Sequence, residues 1–305
     1  MRPDHKETDA APRGSDDARP RRSRTFRWIG GAILLAAVAV VLVAMSLENR
    51  LIFHPVVYPE GNWNPPGLRF EDAWFRSADG TRLHGWYVPK KNARAAVLFC
   101  HGNGGNLTHR LDTVQMLNRR AGASVLIFDY RGYGRSEGTP SAAGALADAR
   151  AARAWLAGRE KIAPRDVVVM GESLGGAVAV DLAARDGARA LVLESTFSSL
   201  PDVAAFHYPW LPVRWFLRTR LDSASLIHDF HGPLLQAHGD MDTIVPLPIG
   251  RRLFEAANQP KQFMLMPGHD HNDLMPADYF DTLREFFESL PQPFDNRPLG
   301  QNDAG

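Results

Sequence analysis

The sequence predicts an α/β protein built on an eight-stranded, mostly parallel, doubly wound sheet with an N-terminal antiparallel hairpin and a short helical cap insertion. Three observations carry this prediction. From residue 95 onward short apolar runs alternate with longer helical patterns, the order expected when crossover helices join parallel strands. Before residue 90 two strand-like runs flank an Asp79-Gly80 turn, which joins antiparallel neighbours. The third is Gly171-Glu172-Ser173-Leu174-Gly175, set between the β-branched run Val167-Val168-Val169-Met170 and an alanine-rich helical pattern. Glycines on both sides of a serine permit a sharp strand-to-helix turn that exposes the hydroxyl.

Taken in order, strands are expected over 71–76, 82–88, 95–100, 124–130, 166–170, 190–193, 234–238 and 262–266. Helical patterns lie over 107–120, 142–156, 173–184, 249–257 and 276–290. The stretch 197–230 is too long for an ordinary strand-to-strand link. It mixes Phe206, Tyr208, Trp210, Trp215 and Phe216 with Arg214, Arg218 and Arg220, and reads as the cap. Residues 48–69, with Pro55, Pro59, Pro65 and Pro66, read as an extended connector leading to a single α/β domain over 70–292, followed by a C-terminal tail over 293–305.

The N-terminus is read separately. Residues 1–27 are rich in Asp, Arg, Pro and Ala and read as a disordered basic tail. Residues 28–47 carry no charge, and 20 helical residues span about 30 Å, the thickness of a bilayer core. Arg19, Arg21, Arg22, Arg24 and Arg27 precede this run, so the expectation is a single-pass signal anchor with a cytoplasmic N-terminus and an extracytoplasmic domain. A cleaved signal peptide, with Ala44-Met45-Ser46 as the cut, is the competing reading.

Composition removes several classes. A formal net charge of +1 leaves no field to attract nucleic acid. Cys100 is the single cysteine, so neither an intrachain disulfide nor a cysteine metal cluster is available. The chain has no HExxH helix and no phosphate-binding GxxxxGK[ST] loop, so no metal and no cofactor are expected.

What remains is nucleophilic chemistry. A serine hydroxyl needs a base to take its proton, and the base needs a third group to orient it. His238-Gly239-Asp240-Met241-Asp242 follows an apolar run and offers two acids at a strand end. Pro267-Gly268-His269-Asp270-His271-Asn272-Asp273 follows the next run and offers two histidines. Leu174, just after the serine, presents its backbone N–H at a helix start, where an oxyanion can be held.

These blocks, with His101-Gly102-Asn103-Gly104-Gly105-Asn106 and Asp129-Tyr130-Arg131-Gly132-Tyr133-Gly134-Arg135-Ser136, resemble the α/β-hydrolases of the serine hydrolase superfamily. The resemblance runs from about residue 51 to residue 290. It is nearest to a membrane-anchored branch that includes acyl-protein thioesterases (depalmitoylases) and uncharacterised bacterial relatives. It implies Ser173 as nucleophile, Asp242 as acid in preference to Asp240, and His271 as base in preference to His269. It also implies Asn103 as the second oxyanion donor beside Leu174, with His101, Asn106 and Asp129 shaping or holding the loops. The implied activity is cleavage of carboxylic esters or thioesters through an acyl-enzyme, on a small-molecule or lipidated acyl substrate. Acyl transfer by the same residues, and a non-catalytic membrane-tethered binding protein, are the alternatives. The oligomeric state stays open.

Overall fold

Side chains alternate across each strand, and in this chain the alternation sorts almost perfectly onto two helical layers. The computed structural model describes residues 47–291 and, ahead of them, residues 28, 29, 31, 32, 35, 38–40 and 43. Two compact units divide the chain, Met1–Ala44 and Met45–Gly305. In the first, the described residues are helical.

The second unit holds an eight-stranded sheet of β1 (Glu71–Arg76), β2 (Arg82–Val88), β3 (Ala95–Cys100), β4 (Ala123–Phe128), β5 (Val168–Glu172), β6 (Ala190–Glu194), β7 (Leu234–Gly239) and β8 (Lys261–Met266). Their order is β8-β7-β6-β5-β3-β4-β2-β1. β1 and β2 pair antiparallel across the Asp79-Gly80 turn, and β2 is also antiparallel to β4. Every other pairing is parallel. The helices of eight or more residues are α1 (Leu111–Arg119), α2 (Ala142–Glu160), α3 (Leu174–Asp186), α4 (Leu200–His207), α5 (Leu247–Ala256) and α6 (Ala277–Ser289).

Leu98, Cys100, Leu126, Phe128, Val169, Leu191 and Leu193 face α2 and α3 in one apolar cluster. Their neighbours Val97, Phe99, Val125, Ile127, Val168, Met170 and Val192 face α1 and α6 in a second. Both faces of the central strands are dry, which is why these strands read as continuous apolar runs. The chain leaves β3 for β4 on one side and returns to β5 on the other, with α1 and α2 on opposite faces. The crevice at the carboxyl ends of β3 and β5 is therefore the topological switch point, where such sheets bind ligands.

Local chemistry explains where element ends differ from the sequence reading. The helix expected over 107–120 begins as a 3₁₀ turn, Leu107–Arg110, because the Asn106 side chain accepts the Thr108 N–H and closes a tighter turn. Pro164 opens another 3₁₀ turn, Pro164–Asp166, so β5 starts at Val168 and extends to Glu172. α2 runs on to Glu160, where the Tyr87 hydroxyl donates to Glu160 at 2.6 Å and Lys161 turns left-handed.

Among the described residues no helix is long and apolar enough to cross a membrane. That corrects the expected placement as a single-pass membrane protein with an extracytoplasmic domain; of the run 28–47, residues 30, 33, 34, 36, 37, 41, 42 and 44–46 lie outside the described residues. Absence of charge is a property of side chains alone, whereas crossing a bilayer core needs about 20 helical residues. The tails 1–27 and 293–305 lie outside the described residues.

Candidate active site

The serine sits where the sheet delivers it. Val168–Glu172 ends as a strand and Leu174 starts α3, so Ser173 alone makes the turn, at φ +52° and ψ −118°. This sparsely populated conformation costs a side-chain-bearing residue about 1–3 kcal/mol, so the surroundings must enforce it. They do so by close packing. A Cβ on Gly175 would overlap the carbonyl oxygen of Cys100, and one on Gly171 would overlap the carbonyl of Gly175. The Thr196 hydroxyl donates to the Ser173 carbonyl at 2.7 Å, and the Ser173 N–H donates to Glu194 at 2.9 Å.

Ser173 Oγ lies 3.0 Å from His271 Nε2, and His271 Nδ1 lies 2.8 Å from Asp242 Oδ2. Asp242 Oδ1 accepts the N–H groups of Ile244 at 3.0 Å and Val245 at 2.7 Å. Burial works against the Asp242 charge. Bonds from His238, His271 and the Val245 amide outweigh it and hold the carboxyl far below its ordinary range. An ionised carboxylate can only accept, so Nδ1 of His271 carries the proton and Nε2 is free to accept the serine O–H.

Of the sequence candidates, Asp242 and His271 meet at Ser173, whereas Asp240 and His269 do not. Asp240 Oδ1 accepts the Gly268 N–H at 2.6 Å, tying the two loops together on the exposed side. The His269 ring bonds to Pro267 O of its own loop at 3.1 Å. The third group sequence reasoning passed over is His238. Its Nε2 donates to Val245 O at 2.8 Å and lies 3.4 Å from Asp242 Oδ2, completing the cage around that carboxylate. Gly250 makes room for its ring, since a Cβ there would strike the imidazole.

The loop after β3 approaches from the other side. A Cβ on Gly102 would come 3.6 Å from the Ser173 Cβ, so the loop lies directly against the serine. Leu174 N–H heads α3 and has no partner within the helix. The Asn103 side chain donates to Ile52 O at 2.7 Å, and its carbonyl accepts the Tyr133 hydroxyl at 2.7 Å. Asn106 donates to Val56 O and Glu60 O, fixing the loop base. His101 Nδ1 donates to Gly102 O at 2.7 Å, and burial pushes this imidazole down to about 3. Asp129 is fully buried beneath the loop. Its Oδ1 accepts the Leu107 N–H at 2.8 Å, and burial pushes the carboxyl up to about 7.

Two further carboxyls sit behind Ser173 as ladder neighbours. Glu172 takes Arg110 in a two-point ion pair at 2.6 and 2.8 Å. Glu194 stands opposite it on β6, and burial, with the Glu172 charge adding, pushes it up to about 8. Cys100 is buried in β3 with its thiol pushed up to about 12, unfit as a nucleophile. Phe206 of the cap, Met241 and Ile244 beside Asp242, and Leu274 beyond His271 are exposed, and the His207 imidazole bonds to Ile244 O at 2.9 Å, joining cap to acid loop. Among the described residues no group of His, Cys, Asp and Glu is arranged to hold a metal ion.

The comparisons agree with this architecture. Residues 95–224 match the family described as alpha/beta hydrolase fold. An uncharacterised Mycobacterium tuberculosis protein, Rv2307c, is 41% identical over 83% of this chain and 92% of its own. The Arabidopsis thaliana alpha/beta hydrolase domain-containing protein WAV2 is 32% identical over 87% of this chain and 94% of its own. Among solved structures, the Pyrococcus furiosus esterase Pf2001 superposes with a TM-score of 0.63 at 21% identity, covering 78% of this chain and 98% of that one. The chain belongs to the α/β-hydrolase fold family.

Proposed function

We propose that this protein is a serine hydrolase that cleaves carboxylic esters, with thioesters as the nearest related bond. The observation carrying the reading is the unbroken relay from Ser173 Oγ to His271 Nε2 at 3.0 Å and from His271 Nδ1 to Asp242 Oδ2 at 2.8 Å. Esterases among the solved structures, from Pyrococcus furiosus and Rhodococcus, share the fold and support ester cleavage as the reaction class.

In this reading Ser173 Oγ attacks the ester carbonyl as its proton passes to His271 Nε2. Asp242 holds the ring in the tautomer that can receive it and stabilises the imidazolium. The N–H groups of Asn103 and Leu174 hold the oxyanion, a contribution of about 3–4 kcal/mol per donor. Collapse of the tetrahedral species breaks the C–O bond, and His271 gives its proton to the leaving alcohol. Water, deprotonated by the same nitrogen, then releases the carboxylic acid and restores Ser173. The exposed apolar side chains Phe206, Met241, Ile244 and Leu274, in the cap and in the two loops that carry Asp242 and His271, favour an acyl group with a hydrocarbon chain.

Ser173→Ala tests this directly. The variant is expected to keep the wild-type melting temperature while hydrolysis of a short p-nitrophenyl ester and labelling by a fluorophosphonate both vanish. Undiminished turnover would overturn the reading.

A further inference from the structure

Among the buried carboxylates that the ester-cleaving chemistry leaves unused is Glu48. Glu48 has a side chain only 8% exposed, 125 residues ahead of the nucleophile by the difference of 173 and 48. Its Oε1 accepts the Thr219 N–H at 2.6 Å, and its Oε2 accepts the Arg218 N–H at 3.3 Å. The Arg218 guanidinium lies 3.7 Å away. Arg218 and Thr219 belong to the cap.

From Glu48 one helical turn, Glu48–Ile52, leads to the site. Ile52 and Phe53 are buried in the main core, which stops the segment from sliding. Beyond them the chain grips Asn103 from two sides: Ile52 O accepts its side-chain amide at 2.7 Å, and the His54 N–H donates to its carbonyl at 3.2 Å. His54 and Pro55 then pair in parallel with Gly104 and Gly105, and Val57 bridges to Gly134.

We propose that Glu48 is a positioning residue: through residues 48–57 it ties the cap to the loop carrying Asn103, so that a seated cap holds the oxyanion amide in place. This rests on the ester-hydrolase reading of the site. Glu48 touches no reacting atom. It acts through Ile52, His54 and the Asn103 backbone. An oxyanion donor works only when it is about 2.7–3.1 Å from the developing charge, so a small displacement of Asn103 weakens the transition state more than the bound ester.

The test uses the full chain with Glu48→Ala and Glu48→Gln, assayed on a short p-nitrophenyl ester and normalised to sites titrated with a fluorophosphonate. Glu48→Ala is expected to lose about 10- to 100-fold in kcat, the scale of a misplacement near 1 Å, with KM unchanged. Glu48→Gln keeps one oxygen to accept the Thr219 N–H and recovers most of that loss. In parallel, amide hydrogen exchange over residues 102–106 rises in Glu48→Ala and returns towards wild type in Glu48→Gln. Should Glu48→Ala not fold, Glu48→Asp, which retracts the carboxylate by one methylene, carries the same two measurements. Unchanged kcat per titrated site, a change confined to KM, or unchanged exchange over 102–106 overturns the proposal. Hydrolysis that survives Ser173→Ala sinks the ester-hydrolase reading instead, and the exchange measurement still decides whether Glu48 holds the Asn103 loop.

Discussion

The two ends of the parallel sheet differ in what they do with charge. At the carboxyl end, Ser173, His271 and Asp242 meet over a floor of buried groups, with Asp129 and Glu194 both pushed up in pKa. At the amino end a cavity of about 340 Å³ opens among Arg94, Glu160, Arg189 and Glu288, close to the starts of β3 and β6. It is a generous concavity, yet Arg94 is neutralised by Glu288 at 2.6 Å with both side chains 41–48% exposed. No strand ends there with a strained residue, and no nucleophile faces a base. Concavity without desolvated, oriented polar groups has nothing to accelerate a reaction with.

The sharpest way to break that contrast is at the acid. Asp242→Asn keeps the shape but puts the His271 proton on the wrong nitrogen, and is expected to lower kcat by about 10,000-fold with the fold intact. Retained turnover would mean that another carboxylate serves. Gly175→Ala comes next, on stability: its Cβ would collide with the Cys100 carbonyl, so a loss of about 3 kcal/mol or more is expected in a urea melt.

A third measurement reads the buried floor through pH. Glu194 and Asp129 have folded pKa values above their ordinary ones, so the folded state keeps protons that the unfolded chain releases. Their contribution to stability is whole below about pH 4 and is lost as pH rises through about 7 and 8. Each such group gives a slope of about 1.4 kcal/mol per pH unit while its two states differ in charge. Melting temperature should therefore fall from pH 5 to pH 9, and Glu194→Gln should flatten the curve; equal slopes in both proteins would contradict the buried, proton-retaining Glu194. The smallest effect is expected at the amino end. Arg94→Ala removes an exposed ion pair worth about 0.2–1 kcal/mol and should leave kcat unchanged. A large fall in kcat there would erase the distinction between the two ends.

Much of this architecture is legible in the chain because it is written locally. Val168, Val169 and Met170 must be buried on both faces, and Gly171 and Gly175 mark the close approach, so the serine turn is readable from a short window. Asp240 and Asp242 are different. They stand two positions apart in one loop, and only the fold of that loop turns one carboxylate onto the Ile244 and Val245 amides and His271. The role of His238 was invisible for the same reason, since its partner lies within the turn its own strand enters. The charge-free run at 28–47 raised the expectation of an extracytoplasmic domain, whereas among the described residues no helix is long and apolar enough to cross a membrane.

By itself, then, the sequence determined the strand and helix order, the two dry faces of the sheet and the position of Ser173 at a strand end, because periodicity and turn chemistry act over a few residues. Only the tertiary structure decided which acid and which histidine reach that serine, and that Glu48 meets Thr219 across 171 residues. Hydrogen bonds select partners by direction and distance in space, and no local pattern along a chain encodes where two remote loops will meet.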